Sequence, residues 1–264
     1  FLNDQDKKNI YNLGRDNDPK LISDIKPFKL WTKKTTWSIL STPGMRFMID
    51  LIFPKSSIAY LKTDKKVVAF TIDDGFCGLD NPGGDMTAEV LELFKKYSAT
   101  ATFFVTGSHC AHTKKDDVLA LLNDGHELAN HSMYDMPYNK MSLEDFEMDF
   151  EQTHKILSEY TDNIPKWYRA PHAKLSKTMQ SVIDTKDYTH VACDAFASDT
   201  SIPDAKWISK FILKKVKPGS IVLIHMPEKG IREWNFEAME LTLKGLKEKG
   251  YDIVTFSELY ELSQ

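Results

Sequence analysis

The stretch Val67-Val68-Ala69-Phe70-Thr71-Ile72-Asp73-Asp74-Gly75 constrains the fold more than any other part of the chain. An apolar run rich in Val, Phe, Thr and Ile, unbroken until Asp73, reads as a strand buried on both faces, as in a parallel sheet covered by helices. Two adjacent carboxylates close it. Side chains alternate along a strand, but a turn at its end lets both acids face one cleft, and Gly75 permits the positive φ such a turn calls for. An isolated Asp-Asp-Gly is more often an ordinary turn, so its meaning depends on what surrounds it.

From residue 67 onward the chain alternates strand and helix. A helix is predicted over about Met86 to Tyr97, a strand over Ala101–Val105, a helix over 115–123 that Gly125 caps, and a short strand over Glu127–Asn130. Ser142 with Asp145 starts a long helix to about Tyr160. Further strands are predicted at 167–170, 190–193, 221–224 and 252–255, with helices at about 175–186, 204–216 and 235–249. Strands and helices at this spacing require a parallel sheet with right-handed crossovers. Seven such units are more than most open sheets need, so the expected fold is an α/β one, a distorted (β/α) TIM-like barrel of about seven parallel strands.

Residues 1–60 show no clean period. Trp31, Trp37, Met45, Phe47, Met48, Leu51, Ile52 and Phe53 are scattered among prolines and serines, which reads as an extension packed on a single main domain, residues 61–264. The chain opens Phe1-Leu2-Asn3 without methionine, as a trimmed or mature chain does, and no targeting segment is visible in it. It holds no apolar run long enough to span a membrane. With 34 basic and 38 acidic residues, a net charge of −4 and a pI near 6.1, it gives no electrostatic reason to expect nucleic acid or an anionic membrane as partner. Cys77, Cys110 and Cys193 lack the spacing of a zinc ribbon or a redox pair. Cys77 and Cys110 each fall just after a predicted strand, near enough in this scheme to pair.

The polar residues are placed with a pattern. Asp73 and Asp74 follow the first strand, His131 and Asp135 the third, Arg169 the fourth, Asp194 and Asp199 the fifth, and His225 the sixth. All lie at C-terminal strand ends, which open on one face of a parallel barrel, where active sites are assembled. Asp74, His131 and Asp135 supply the carboxylate, imidazole and carboxylate of a three-ligand set that leaves a divalent metal an open position for water. Asp73 is then available as general base, His225 as general acid on the leaving group, and Arg169 as the partner that keeps Asp73 ionised. A histidine ending so apolar a strand also has an ordinary reading, as a hydrogen-bonded core residue.

Thr71-Ile72-Asp73-Asp74-Gly75, His131-Ser132-Met133-Tyr134-Asp135, Arg169-Ala170-Pro171-His172 and Leu223-Ile224-His225 resemble, in order and spacing, four of the five signature motifs of the polysaccharide deacetylase family, the NodB homology domain or carbohydrate esterase family 4. The resemblance runs from about residue 66 to 260. It implies a distorted barrel and metal-dependent removal of N-acetyl groups from N-acetylglucosamine residues of chitin, chito-oligosaccharide or peptidoglycan. It makes Asp73 the base, Asp74 and His131 metal ligands, His225 the acid and Arg169 the holder of Asp73. The backbone at His172, next to Pro171, would help bind the oxyanion, and Leu223 would line the acetyl pocket. The implied cofactor is one divalent ion, Zn²⁺ first, with Co²⁺ or Mn²⁺ as alternatives. A polymeric wall substrate favours a secreted or surface location.

Two departures stand out. Asp135 occupies the position where the commonest form of the second motif has a histidine, adding a negative charge that should favour harder metals or shift activity to higher pH. The aspartate-tryptophan pair of the fourth motif is missing: Asp199-Thr200 is the best-placed substitute, with Asp194 as competitor for tuning His225. Tyr134, Tyr138 and Trp234 are candidates to stack on sugar rings, or simply packing. Beside an active N-deacetylase, the sequence leaves open a glycan-binding pseudoenzyme, favoured by Asp135, and a small-amide hydrolase of the same fold.

Overall fold

In the computed structural model, residues 25–40, 46, 49, 56–78, 81, 83–110 and 113–264 are described. Seven parallel strands form one sheet: β1 (Val67–Gly75), β2 (Thr102–Val105), β3 (Glu127–Asn130), β4 (Trp167–Tyr168), β5 (Thr189–His190), β6 (Ile221–His225) and β7 (Asp252–Val254). They run in the order β5-β4-β3-β2-β1-β6, with β7 joined to the first three residues of β1. The sheet curls into a half-barrel. Between β5 and β6 its wall is carried by single bridges, Ala195 to Val222 and Ile58 to Val191.

Every residue of β1 is buried, as its apolar run predicts. It is the central strand, paired with β2, β6 and β7. Phe70, Phe76, Phe94 and Phe103 pack beside it in fully buried positions, each such side chain contributing roughly 1.5–3 kcal/mol on removal from water. The helices on the outside are α1 (Pro27–Leu40), α2 (Thr87–Lys96), α3 (Lys115–Asn123), α4 (Leu143–Leu157), α5 (Lys177–Thr185), α6 (Ala205–Lys215), α7 (Trp234–Glu248) and α8 (Phe256–Leu262). Ser142 caps α4 by accepting the Asp145 N–H, and Gly125, at φ 86°, ends α3 in a left-handed turn. None of the described helices is long and apolar enough to cross a membrane.

Elements α1 and α8 are absent from the sequence reading. In α1 the apolar side chains do not gather on one face: Phe28, Trp31 and Ile39 are exposed, while Trp37 packs edge-on against Phe196. Lys34 pairs with Asp204, and Lys33 Nζ donates to the Ser201 carbonyl. The helix therefore rests on the segment between β5 and α6. Met45, Phe47, Met48, Leu51, Ile52 and Phe53 lie outside the described residues. The expectation that Cys77 and Cys110 could pair is corrected. Both are buried without a disulfide; the Cys77 thiol faces Glu228 Oε2 at 3.6 Å, and Cys110 interacts with Tyr160.

Candidate active site

Asp73 and Asp74 reach the same cleft by a different route from the one the glycine suggests. β1 pairs with β2 in register to Asp73–Phe104, then skips to Gly75–Val105, so Asp74 is a bulged residue. Its φ is 59°, and Gly75 is not left-handed. Asp is among the few side chains that tolerate this conformation, and a bulge re-aims the side chain it carries. Both acids consequently face His131: Nε2 is 3.7 Å from Asp73 Oδ2 and 3.6 Å from Asp74 Oδ1. His131 Nδ1 lies 2.7 Å from the Arg169 carbonyl, which can only accept, so Nδ1 carries a proton and Nε2 is the atom presented to the acids.

Arg169 ties β1 to the segment just after β5. Nη1 donates to Asp73 Oδ1 at 2.6 Å and to Thr71 Oγ1 at 2.8 Å, Nε to the Val191 carbonyl and Nη2 to the Ala192 carbonyl. Its guanidinium also sits 4.0 Å over the Phe104 ring. The side chain of Asp73 is thus clamped on one oxygen, leaving the other toward His131.

On the neighbouring strand His225 is the register partner of Asp73, which puts the two Cα atoms about one strand spacing apart, roughly 5 Å. The carboxylate against His225 is Asp199. Its oxygens lie 3.0 and 3.2 Å from Nδ1, and Oδ2 also accepts the His225 backbone N–H. Asp194 is elsewhere, held by Arg46 Nε, the Ser220 hydroxyl and the Ile221 N–H. Burial pulls the His225 imidazolium down. The charge and hydrogen bond of Asp199, with Asp74 and Asp73 behind, reverse that, and His225 is raised to about 9. It is accordingly a charged acid at neutral pH.

Three contacts around Asp199 escape the sequence reading. Asn235 Nδ2 donates to Asp199 Oδ2 at 2.8 Å and to the His225 carbonyl, and Trp234 Nε1 donates to the Asp199 carbonyl at 2.8 Å. No tryptophan follows Asp199 in sequence, yet an indole arrives on it from the start of α7.

Asp135 makes a contact that the sequence does not announce. Its Oδ1 lies 3.2 Å from His172 Nε2, in the 3₁₀ turn Pro171–Ala173, whose His172 has φ 56°. Of the three expected ligands Asp74, His131 and Asp135, the first two lie side by side, and Asp135 contacts the His172 imidazole. Asp74 Oδ1 and His131 Nε2 are near enough to share an ion at about 2 Å from each. Among the described residues, however, no three His, Cys, Asp or Glu side chains gather in a metal-holding group. The second oxygen of Asp74 is taken by Arg232 Nη1 at 2.8 Å. As placed, these residues do not fit a three-donor divalent site.

Arg232 and Glu228 are also unforeseen. The segment after β6, Met226-Pro227-Glu228-Lys229-Gly230-Ile231-Arg232-Glu233, carries four charged residues at the same strand end as the others. Placement there was the available signal. Among the remaining candidates, Leu223 and Pro171 are buried. Tyr138 is fully buried with its hydroxyl on Asp149, and Tyr134, at 9% exposure, leaves little ring for a sugar.

Carboxylates, imidazoles and an arginine thus gather at the C-terminal end of a curled parallel sheet. The polysaccharide deacetylase family profile matches residues 60–191, and the chain belongs to that family. A peptidoglycan-N-acetylglucosamine deacetylase of Bacillus cereus is 25% identical over 76% of this chain and 70% of its own length. PgdA, a peptidoglycan-N-acetylglucosamine deacetylase of Listeria monocytogenes, is 28% identical over 75% of this chain, which spans 40% of that protein. Among solved structures, a family 4 acetyl xylan esterase of Clostridium thermocellum, in complex with cobalt, superposes with a TM-score of 0.65 at 30% identity, covering 75% of this chain and 91% of that one. A family 4 pseudoenzyme of Bacillus anthracis shares the fold, with a TM-score of 0.68 at 21% identity over 80% of this chain and 70% of that one. These relatives support a hydrolase of the family 4 deacetylase type.

Proposed function

We propose that this chain removes N-acetyl groups from N-acetylglucosamine residues of a cell-wall glycan, peptidoglycan first, with residues 61–264 as catalytic domain and 1–60 as an extension packed on it. The observation that carries the reading is the register pairing of Asp73 with His225, each held by its own partner, Arg169 and Asp199. Amide hydrolysis needs a base for the attacking water and an acid for the departing amine. Asp73 Oδ2, left open by the Arg169 clamp, accepts the water proton. His225, charged at neutral pH, donates from Nε2 to the leaving nitrogen while Asp199 holds Nδ1. Asp199 in turn is fixed by Asn235. A wall substrate puts the chain outside the cytoplasm or on the cell surface.

A second reading, a glycan-binding pseudoenzyme, has one specific observation on its side: the pairing of Asp135 with His172 and of Asp74 with Arg232. Acetate release from peptidoglycan fragments and chito-oligosaccharides, with chelator and with defined metals added back, decides between them. Release abolished by Asp73→Asn supports the deacetylase. Binding of the oligosaccharides without acetate under every metal condition supports the pseudoenzyme.

A further inference from the structure

We propose that Arg232 is a built-in counter-cation for Asp74, which a divalent ion must displace, so that this site holds its charge balance without metal and loads metal weakly. This deepens the deacetylase reading and rests on it. Four observations carry it.

First, Asp74 is 3% exposed and Glu228 fully buried, and the Arg232 guanidinium bridges them, Nη1 to Asp74 Oδ2 at 2.8 Å and Nη2 to Glu228 Oε1 at 3.7 Å. Second, Asp135 acts on the same guanidinium electrostatically. Arg232 thus pairs directly with one of the three expected metal ligands, Asp74, and bears electrostatically on a second, Asp135. Third, the arginine is positioned by its loop. The backbones of Glu228 and Ile231 exchange hydrogen bonds, Lys229 N–H donates to the Gly84 carbonyl, and Glu228 Oε2 accepts from Gly78 N–H and Asn81 Nδ2. Arg232 itself has φ 55°, a backbone state that a non-glycine residue keeps only where its surroundings impose it. Fourth, among the described residues no third donor joins Asp74 and His131, and Asp135 is engaged by His172. A divalent ion entering between Asp74 and His131 would meet the guanidinium charge at close range, and two like charges there repel. Removing the arginine takes the cationic partner from buried Asp74, the condition in which an ion binds most readily.

The test is titration calorimetry of Co²⁺ and Zn²⁺ into the purified chain and three variants, with the thermal midpoint read alongside. Arg232→Met is expected to bind one divalent ion at least tenfold tighter than wild type, and its midpoint to rise on adding metal more than wild type's does. Arg232→Lys, which keeps the charge, is expected to stay near wild type. The double variant Arg232→Met with His131→Ala is expected to lose the gain, which locates the ion at this site. Equal affinity in wild type and Arg232→Met overturns the proposal, as does a gain that survives loss of His131. Should Arg232→Met fail to fold without metal, Arg232→Gln takes its place in the same comparison. The readout is binding, so a chain that turns out not to release acetate leaves this test standing.

Discussion

Asp199→Asn is the perturbation that most directly examines the proposed acid. In the folded protein His225 is raised to about 9 although burial alone would lower it, and the Asp199 carboxylate against its Nδ1 is the strongest influence opposing burial. Without that carboxylate, only Asp74 and Asp73 oppose burial, and the imidazole is expected to fall toward its ordinary value of ~6.5. At pH 8 a group titrating at about 9 is roughly 90% protonated, while one at ~6.5 is about 3% protonated. The expected loss of kcat at pH 8 is therefore on the order of 30-fold from protonation alone, shrinking toward pH 6, with the alkaline limb of the rate profile moved down by about 2.5 pH units. The exchange nearly conserves shape. Asn Oδ1 can still accept the His225 backbone N–H, so the fold should persist. The assay is acetate release from an acetylated oligosaccharide across pH 5.5–10, with wild type and Asp194→Asn in parallel. Asp194 is spent on Arg46, Ser220 and Ile221, so its variant should keep the wild-type limb. An alkaline limb unmoved in Asp199→Asn, or moved equally in Asp194→Asn, refutes the assignment.

Other expectations concern stability. Burial pushes Asp149 up to about 7, against hydrogen bonds from the Tyr138 hydroxyl and the Met133 N–H. A carboxyl that is raised on folding binds its proton more tightly in the native state. Its contribution is complete below pH ~4 and is lost as pH rises toward 7, an effect on the order of 4 kcal/mol at most. Urea midpoints should fall across that window and the fall should shrink in Asp149→Asn, whose amide can serve both partners; a variant with the wild-type slope would contradict this. Arg169→Met removes the partner of buried Asp73 and strands the Val191 and Ala192 carbonyls. It should cost about 3–5 kcal/mol by denaturant melts. Arg169→Lys, which keeps the charge, should cost less, and an unchanged midpoint in Arg169→Met would show that the clamp is not structural.

How far the sequence could be read depends on the kind of interaction. The strands at Val67, Thr102, Glu127 and Ile221 and the helices between them are written locally, as apolar runs and periodic faces bounded by Gly125, Ser142 and similar punctuation. Their ends were harder: β4 keeps two of its four expected residues and β5, Thr189–His190, shares only His190 with the expected 190–193, because pairing there is limited to one or two register positions. Helix α1 escaped because its apolar residues share no face, and α8 because it follows β7 without a break.

By itself, the sequence determined the parallel sheet, and with it the gathering of Asp73, Asp74, His131, Arg169, Asp199 and His225 at one end, because a strand's C-terminus is fixed in direction once its order with helices is known. Tertiary structure alone decided who pairs with whom in that cleft. Asp74 turned inward through a bulge, Asp135 settled on His172, and Arg232 arrived from beyond β6 to claim Asp74. Such contacts join loops far apart in the chain, where no periodicity records the partner and a few ångströms of backbone geometry select between an imidazole, a guanidinium and an ion.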